Sequence, residues 1–314
     1  MNKSSYEALE KRVGRLHLKQ RLGIETDRES KVFGQGINFF HPENWYSMHS
    51  AIRGVLKILQ LHDRGKRNAL TIQVNHNHVF IRNLPAVFEG FRLLQITDLH
   101  IDINPEMPDA LVDCIRDIEY DVCVLTGDYR ANTAGDYNAT LKGMERVCSH
   151  IKKPAYGVLG NHDTIRMVPG LEEMGIRILL NESTAIEREG TVIYLAGIDD
   201  PHYYLADNME KAIDGIPYDA VSILLSHSPE LYKHAAHADI NLMLCGHTHG
   251  GQICLPGGVP LITNARCPRK FCRKSWQYHN LNGYTSLGSG VSIVDVRFNC
   301  PPEITIHHLH REQQ

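Results

Sequence analysis

FRLLQITDLH, residues 91–100, sets an apolar run against an abrupt polar end. Leu93, Leu94 and Ile96 are too continuous for a strand with one wet face, so the run reads as a buried strand that stops at Thr97-Asp98. The pattern recurs downstream in VCVLTGDY (122–129), AYGVLGNHD (155–163), AVSILLSHSP (220–229) and INLMLCGHTHG (240–250). Between the first two runs lies DALVDCIRDIEYD (109–121), where Leu111, Ile115 and Ile118 recur at helical spacing. ATLKGMERVCSHI (139–151) forms the next helix. Strands alternating with helices predict a layered α/β sandwich. No GxGxxG follows a strand and no P-loop is present, which argues against a dinucleotide or P-loop fold.

Five of the apolar runs end in groups that can donate a lone pair: Asp98, His100, Asp128, Asn161, His227, His247 and His249. Taken singly, each is weak. Asn161 alone reads as a turn residue and His227 alone as a packed histidine. Seven such groups at the carboxyl ends of strands form the rim of an active site. In an extended segment, residues i and i+2 point the same way, so Asp98/His100 and His247/His249 can each converge. Glycines 127, 160 and 246 directly precede donors and permit close backbone approach. The mixed carboxylate, amide and imidazole set suits two divalent ions, manganese first, with iron, zinc, cobalt, nickel or magnesium as alternatives. It fits a centre in which a bridging hydroxide is the nucleophile.

In TDLH (97–100), GDY (127–129), GNHD (160–163), SH (226–227) and GHTH (246–249) the chain resembles the calcineurin-like metallophosphoesterases. The resemblance covers roughly residues 90–309. It implies a four-layer sandwich, two central β-sheets flanked by helices, with a dinuclear centre. Carried over, Asp98, His100, Asp128 and His249 hold one metal, and Asp128, Asn161, His227 and His247 hold the other, with Asp128 bridging. His162 is then the general acid beside the phosphoryl group, and Asp163 orients its ring through a hydrogen bond. AGIDDP (196–201), HTHGGQICLP (247–256) and RFNCPPEIT (297–305) are similar to the YkuE/YaeI-type branch of bacterial phosphodiesterases, which implies lipid-related phosphoesters and membrane association. Two departures stand out. The N-terminus lacks the apolar anchor of many branch members, and Tyr129-Arg130 follows the Gly-Asp. Arg130 is expected to aim its planar fork at a phosphate, and His202, in GIDDPHYY, to line the substrate entrance.

The chain has 314 residues and a formal net charge of −3. That near balance makes nucleic acid an unlikely partner. Eight scattered cysteines without a CxxC read as free thiols of a reducing, cytoplasmic protein. No run is apolar and long enough for a signal peptide or a membrane span. Residues 1–89 read as an N-terminal extension and 90–314 as the catalytic domain. Within the extension, residues 45–61 have the apolar positions of an amphipathic helix (Trp45, Ile52, Leu56, Leu59), with Arg53 and Lys57 among them. Such a helix meets the inner face of a membrane or braces the core. The basic loop RCPRKFCRKSW (266–276) fits an anionic surface as well as it fits solvent. The expected activity is a phosphodiesterase or pyrophosphatase on a lipid- or nucleotide-linked substrate. The alternatives are a phosphomonoesterase, a nuclease, and a metal-binding scaffold without turnover.

Overall fold

A computed structural model describes residues 3–34, 46–260 and 262–312. Two six-stranded sheets carry the fold. The first runs β1 (Gln73–Ile81), β14 (Glu303–Arg311), β2 (Phe91–Ile96), β3 (Val122–Leu125), β4 (Ala155–Gly157), β5 (Ile176–Ile178). The second runs β12 (Lys274–Tyr278), β13 (Leu281–Thr285), β9 (Leu242–Cys245), β8 (Ser222–Leu225), β7 (Thr191–Gly197), β6 (Glu182–Arg188). Strands β2 to β5 are parallel, as are β13, β9, β8 and β7. A small hairpin, β10 (Cys254–Leu255) and β11 (Val259–Pro260), follows the last donor pair.

Alternation along the central strands explains the layers. Leu93, Val122 and Val124 face Ile193, Ile223, Leu225, Leu242 and Leu244 between the sheets. Their neighbours Leu94, Ile96, Cys123 and Leu125 face outward, against α5 (Met107–Ile115) and α6 (Asn138–Cys148). On the other side, Leu224, Met243 and Cys245 pack under α8 (Met209–Ile213) and α9 (Tyr232–His237). Both faces of these strands are buried, which is why their sequence is continuously apolar. Each buried aliphatic side chain stabilises the fold by about 1.5–3 kcal/mol. The fold is therefore the expected α/β arrangement of two large sheets flanked by helices. Buried polar side chains, Gln95, Thr305 and His307 among them, interrupt the inner layer. Gln95 donates to the Cys245 carbonyl (2.9 Å) and Thr126 Oγ1 (3.0 Å), and accepts from His307 (3.0 Å), tying the two sheets together beneath the strand ends.

The extension is packed into these layers. Leu9 and Val13 of α1 (Lys3–Val13) and Leu18 of α2 (Arg15–Gly34) join the core outside the first sheet, near α7 (Val168–Glu173). The extension also supplies edge strand β1, which pairs along nine residues with β14. Helix α3 (Tyr46–Ile58) precedes α4 (His62–Leu70). In α3, Leu56 is buried and Ile52 half-buried against Val294, Val296 and Phe298, whereas Val55 and Ile58, and Leu59 just past the helix end, face outward. Of the two readings of this helix, core bracing thus fits Ile52 and Leu56. Trp45 lies outside the described residues. Among the described residues no helix is long and apolar enough to cross a membrane.

Candidate metal centre

All seven expected donors stand just past the carboxyl ends of β2, β3, β4, β8 and β9, and all seven are buried. Asp98 (φ 51°), His100 (39°), Asp128 (55°), His247 (72°) and His249 (48°) adopt left-handed backbone, which costs a non-glycine residue about 1–3 kcal/mol. Neighbouring backbone holds them there. Asp98 N donates to Gly127 O, His100 N to Asp128 O, and Gly290 N to Asp98 O, at 2.9–3.1 Å. The Asp98 carboxylate in turn accepts from His247 N at 3.0 Å. The strand ends also approach each other too closely for side chains at several glycines, Gly160 and Gly246 among them. A Cβ on Gly160 would lie 2.6 Å from Asp128 N and overlap its carboxylate, and one on Gly246 would overlap Thr97 and Asp98.

Three imidazoles are pinned by backbone carbonyls. His100 Nδ1 donates to Arg130 O (2.8 Å), His227 Nδ1 to Thr126 O (2.8 Å) and His162 Nδ1 to Ala131 O (2.5 Å). A carbonyl only accepts, so each Nδ1 carries the hydrogen and each Nε2 is turned toward the other side chains. His100 Nε2 lies 3.0 Å from His249 Nε2 and 3.7 Å from Asp128 Oδ2. His227 Nε2 lies 3.2 Å from Asp128 Oδ2 and 3.0 Å from Asn161 Oδ1. His249 Nε2 is 3.4 Å from Asp98 Oδ1, and His162 Nε2 is 3.9 Å from Asp128 Oδ2. The donors fall into two groups, Asp98/His100/His249 and Asp128/His227/His247, joined by a third set, His100/Asp128/His162.

This donor set fits divalent cations. Buried His247 Nε2 has no hydrogen-bond partner among the described residues. Burial pulls His227 down, but the charges of Asp128 and Asp98 outweigh it and lift the imidazole to about 10. Burial pushes Asp128 up, yet His227 and His162 hold it well below the usual carboxylate range. The carboxylates therefore draw positive charge into a dry pocket, and bound ions would satisfy that demand. Burial, with neighbouring His202 and His227, keeps His247 neutral; burial, with His100 and Arg297, does the same for His249. Neutral imidazole is the ligand form.

Two expected roles need correction. Asp163 does not spend its oxygens on the His162 ring. Oδ2 accepts from Asp128 N and Gly160 N (2.8 Å each), and Oδ1 from Tyr129 N (3.0 Å), so Asp163 clamps two rim turns together while Ala131 O orients the ring. Burial and the Asp128 charge push Asp163 up to about 7, against the pull of those N–H groups. Arg130 is buried, and its donors go to His162 O (2.5 Å), Thr133 O (3.0 Å) and Gly135 O (3.3 Å). It braces its own loop rather than offering a fork to phosphate. His202 does stand beside the donors: its ring centroid is 4.2 Å from that of His247, and its Nδ1 is 2.8 Å from Glu230.

Sequence reading missed two arginines. Buried Arg297 donates to His249 Nδ1 (3.1 Å) and to the carbonyls of Gly288 and Gly290. It lies within a stretch quoted for the family resemblance, which was the available signal. Arg21 of α2 is fully buried under the rim. It donates to Asp163 O (3.0 Å), pairs with Glu25 (2.8 Å) and Asp199 (3.3 Å), and stacks 3.2 Å from the Tyr204 ring centroid. Glu25 accepts from Thr164 Oγ1 (2.6 Å) and Ile165 N (2.8 Å). No motif in the polar sequence around Arg21 announces this contact.

Comparison with known proteins adds the family. The model for calcineurin-like phosphoesterases matches residues 91–251. The metallophosphoesterase YkoQ of Bacillus subtilis is 27% identical over 259 residues, covering 78% of this chain and 93% of that protein. YkuE of the same organism, also named a metallophosphoesterase, is 27% identical, covering 72% and 81%. Phosphodiesterase YaeI of Escherichia coli K12 is 27% identical, covering 75% and 87%.

Proposed function

We propose that this chain, which belongs to the calcineurin-like phosphoesterase family, hydrolyses a phosphodiester or pyrophosphate in a lipid- or nucleotide-linked substrate. The observation that carries the reading is the burial of six lone-pair donors in two groups linked through Asp128, with buried Asn161 Oδ1 3.0 Å from His227. Asp98, His100, Asp128 and His249 would hold one divalent ion, and Asp128, Asn161, His227 and His247 the other. When bound, such ions supply Lewis acidity, neutralising phosphoryl oxygens and making the attacking water acidic.

The chain's own groups do the rest. Carbonyl-locked Nδ1 atoms keep the Nε2 lone pairs of His100 and His227 fixed in direction. His162, with Nδ1–H on Ala131 O, presents Nε2 near Asp128; protonated there, it gives its proton to the leaving oxygen. Glu230 holds His202 over His247, at the mouth where a phosphate oxygen would enter. Substrate class is supported by the name of YaeI, a phosphodiesterase, and by outward-facing Val55 and Ile58 beside Arg53 and Lys57 on α3, with Leu59 just past its end. That face would meet an acyl chain or the cytoplasmic face of a membrane.

The test is a hydrolysis screen of manganese-loaded protein against p-nitrophenyl phosphate, bis-p-nitrophenyl phosphate and nucleotide-linked lipids. The diester or the lipid substrate should be turned over faster than the monoester. Faster monoester turnover would overturn the substrate class, and metal uptake with no turnover of any substrate would overturn the enzyme reading.

A further inference from the structure

The outer edge of the first sheet carries a second set of imidazoles on strands that hold none of the seven donors. Because β1 and β14 are parallel, with His78 opposite His308 and Phe80 opposite His310, alternate residues share one face. His76 and His78 are exposed there, and His308 and His310 are half-buried. The rings form a ladder: His76 to His308 at 5.2 Å, His308 to His78 at 4.8 Å and His78 to His310 at 5.1 Å between centroids, capped by Phe80 at 5.3 Å.

Two nitrogen pairs face each other across the strands. His76 Nδ1 lies 2.9 Å from His308 Nε2, and His78 Nδ1 lies 2.9 Å from His310 Nε2. A carboxylate backs the second pair. Glu89 Oε1 accepts from His310 Nδ1 at 2.7 Å, while Oε2 accepts from Arg311 N at 2.8 Å. With its hydrogen on Nδ1, His310 directs its Nε2 lone pair at His78. A carboxylate behind an imidazole is the arrangement that raises ligand basicity at metal sites.

We propose that His78 and His310, backed by Glu89 and flanked by His76 and His308, bind a divalent transition-metal ion of tetragonal preference, copper(II) or nickel(II). Metal–nitrogen bonds of about 2.0–2.1 Å meeting at a right angle separate the two nitrogens by about 2.9 Å, whereas a tetrahedral zinc site separates them by about 3.3 Å. The observed 2.9 Å is the hydrogen-bond separation of the metal-free pair, and an ion meeting both nitrogens at a right angle would keep that separation with only a turn of the rings. Imidazole nitrogen also places copper highest in affinity among the first-row divalent ions. Two protein nitrogens chelate the ion and water completes its coordination. Such an ion would staple edge strand β1 to β14.

The experiment titrates copper(II) into the full chain and into the double variant His78→Ala/His310→Ala, reading bound metal and the electron paramagnetic resonance spectrum. Both proteins keep the catalytic donors, so the difference isolates the ladder. Wild type should bind at least one more copper ion per chain, with a tetragonal signal split by two nitrogens, and its thermal midpoint should rise on binding. The double variant should lose that signal while retaining phosphoester turnover. Glu89→Gln should keep the stoichiometry and weaken copper binding by about 10–100-fold. Equal uptake and superimposable spectra in wild type and both variants would overturn the proposal, as would a Glu89→Gln protein that binds copper as tightly as wild type.

Discussion

Replacing Arg21 with methionine tests whether the N-terminal helices are part of the catalytic architecture. The guanidinium is fully buried between Asp199 and Glu25, over the Tyr204 ring, and its Nη2 holds the Asp163 carbonyl. Methionine keeps much of the volume but removes the fully buried cation between two buried carboxylates, leaving Asp199 to His17 (3.2 Å) and Glu25 to the more distant Arg166 (3.9 Å). Removing one partner of a buried pair costs about 3–5 kcal/mol. In a protein of this size that corresponds to a fall in thermal midpoint of roughly 5–8 °C. Turnover should fall as well, by at least about tenfold, because Asp163 clamps the turns that carry Asp128 and Asn161, and small misplacements of reacting groups are costly.

Two controls separate charge from packing. Adding Asp199→Asn to Arg21→Met removes one uncompensated charge and should recover a good part of the lost midpoint. The pH dependence has a defined sign. Burial raises Asp199, but Arg21 and His17 outweigh it and hold the carboxyl below its ordinary value. Its contribution is present above the unfolded pKa of about 3.9 and is lost as pH falls through the lower folded value. Without Arg21, burial leaves the Asp199 carboxyl of the variant above its ordinary value, so the gap between wild type and Arg21→Met should be full where Asp199 is ionised in both proteins and narrow as pH falls through the variant's raised value. A midpoint within about 2 °C of wild type at pH 7, with unchanged turnover, would refute the reasoning.

Three further outcomes are expected. Gly160→Ala should fold but lose most of its bound metal by elemental analysis, because the added carbon meets Asp128 backbone and carboxylate; wild-type metal content would show that the strand ends can part. Asp128→Asn should abolish turnover and lower metal occupancy, whereas His162→Ala should keep its metal and lose about 10²–10⁴-fold in rate, the usual worth of an acid–base group; the reverse order would exchange their roles. Leu56→Ala should destabilise the protein by about 2–4 kcal/mol, whereas Ile58→Ser with Leu59→Ser should leave the thermal midpoint unchanged and weaken binding to anionic vesicles. Unchanged vesicle binding would remove α3 from substrate delivery.

The layered core was readable because its strands are buried on both faces. Val122 to Leu125 and Leu242 to Cys245 carry no alternation to confuse with a helix, and each ends in a glycine followed by a donor. What stayed hidden depends on direction rather than composition. Asp163 follows His162 in sequence, so a hydrogen bond to that ring was the natural expectation. The turn instead sends the carboxylate back to the amides of Asp128, Tyr129 and Gly160. Arg130 likewise looked free to meet a phosphate because nothing in the sequence says that the carbonyls of Thr133 and Gly135 curl around it. The pairing of β1 with β14 joins segments more than two hundred residues apart, and no local pattern encodes it.

The buried arginines make physical sense once the strain at the rim is considered. Five candidate ligands hold left-handed backbone, and left-handed non-glycine residues at about 1–3 kcal/mol each approach the whole net stability of a domain. The same pocket concentrates carboxylates and imidazoles away from water. Such a constellation persists only if surrounding contacts leave it no relaxed alternative. Arg297 ties the Gly288 and Gly290 carbonyls to the ring of His249, and Gly290 in turn bonds to Asp98 O. On the opposite side, Arg21 and Glu25 fix the turn from Asp163 to Ile165. Each arginine meets several carbonyls or carboxylates at once, which a neutral side chain cannot do. The N-terminal helices are therefore part of the scaffold of the candidate site: α2 supplies one of these clamps, holding the turn that follows Asn161.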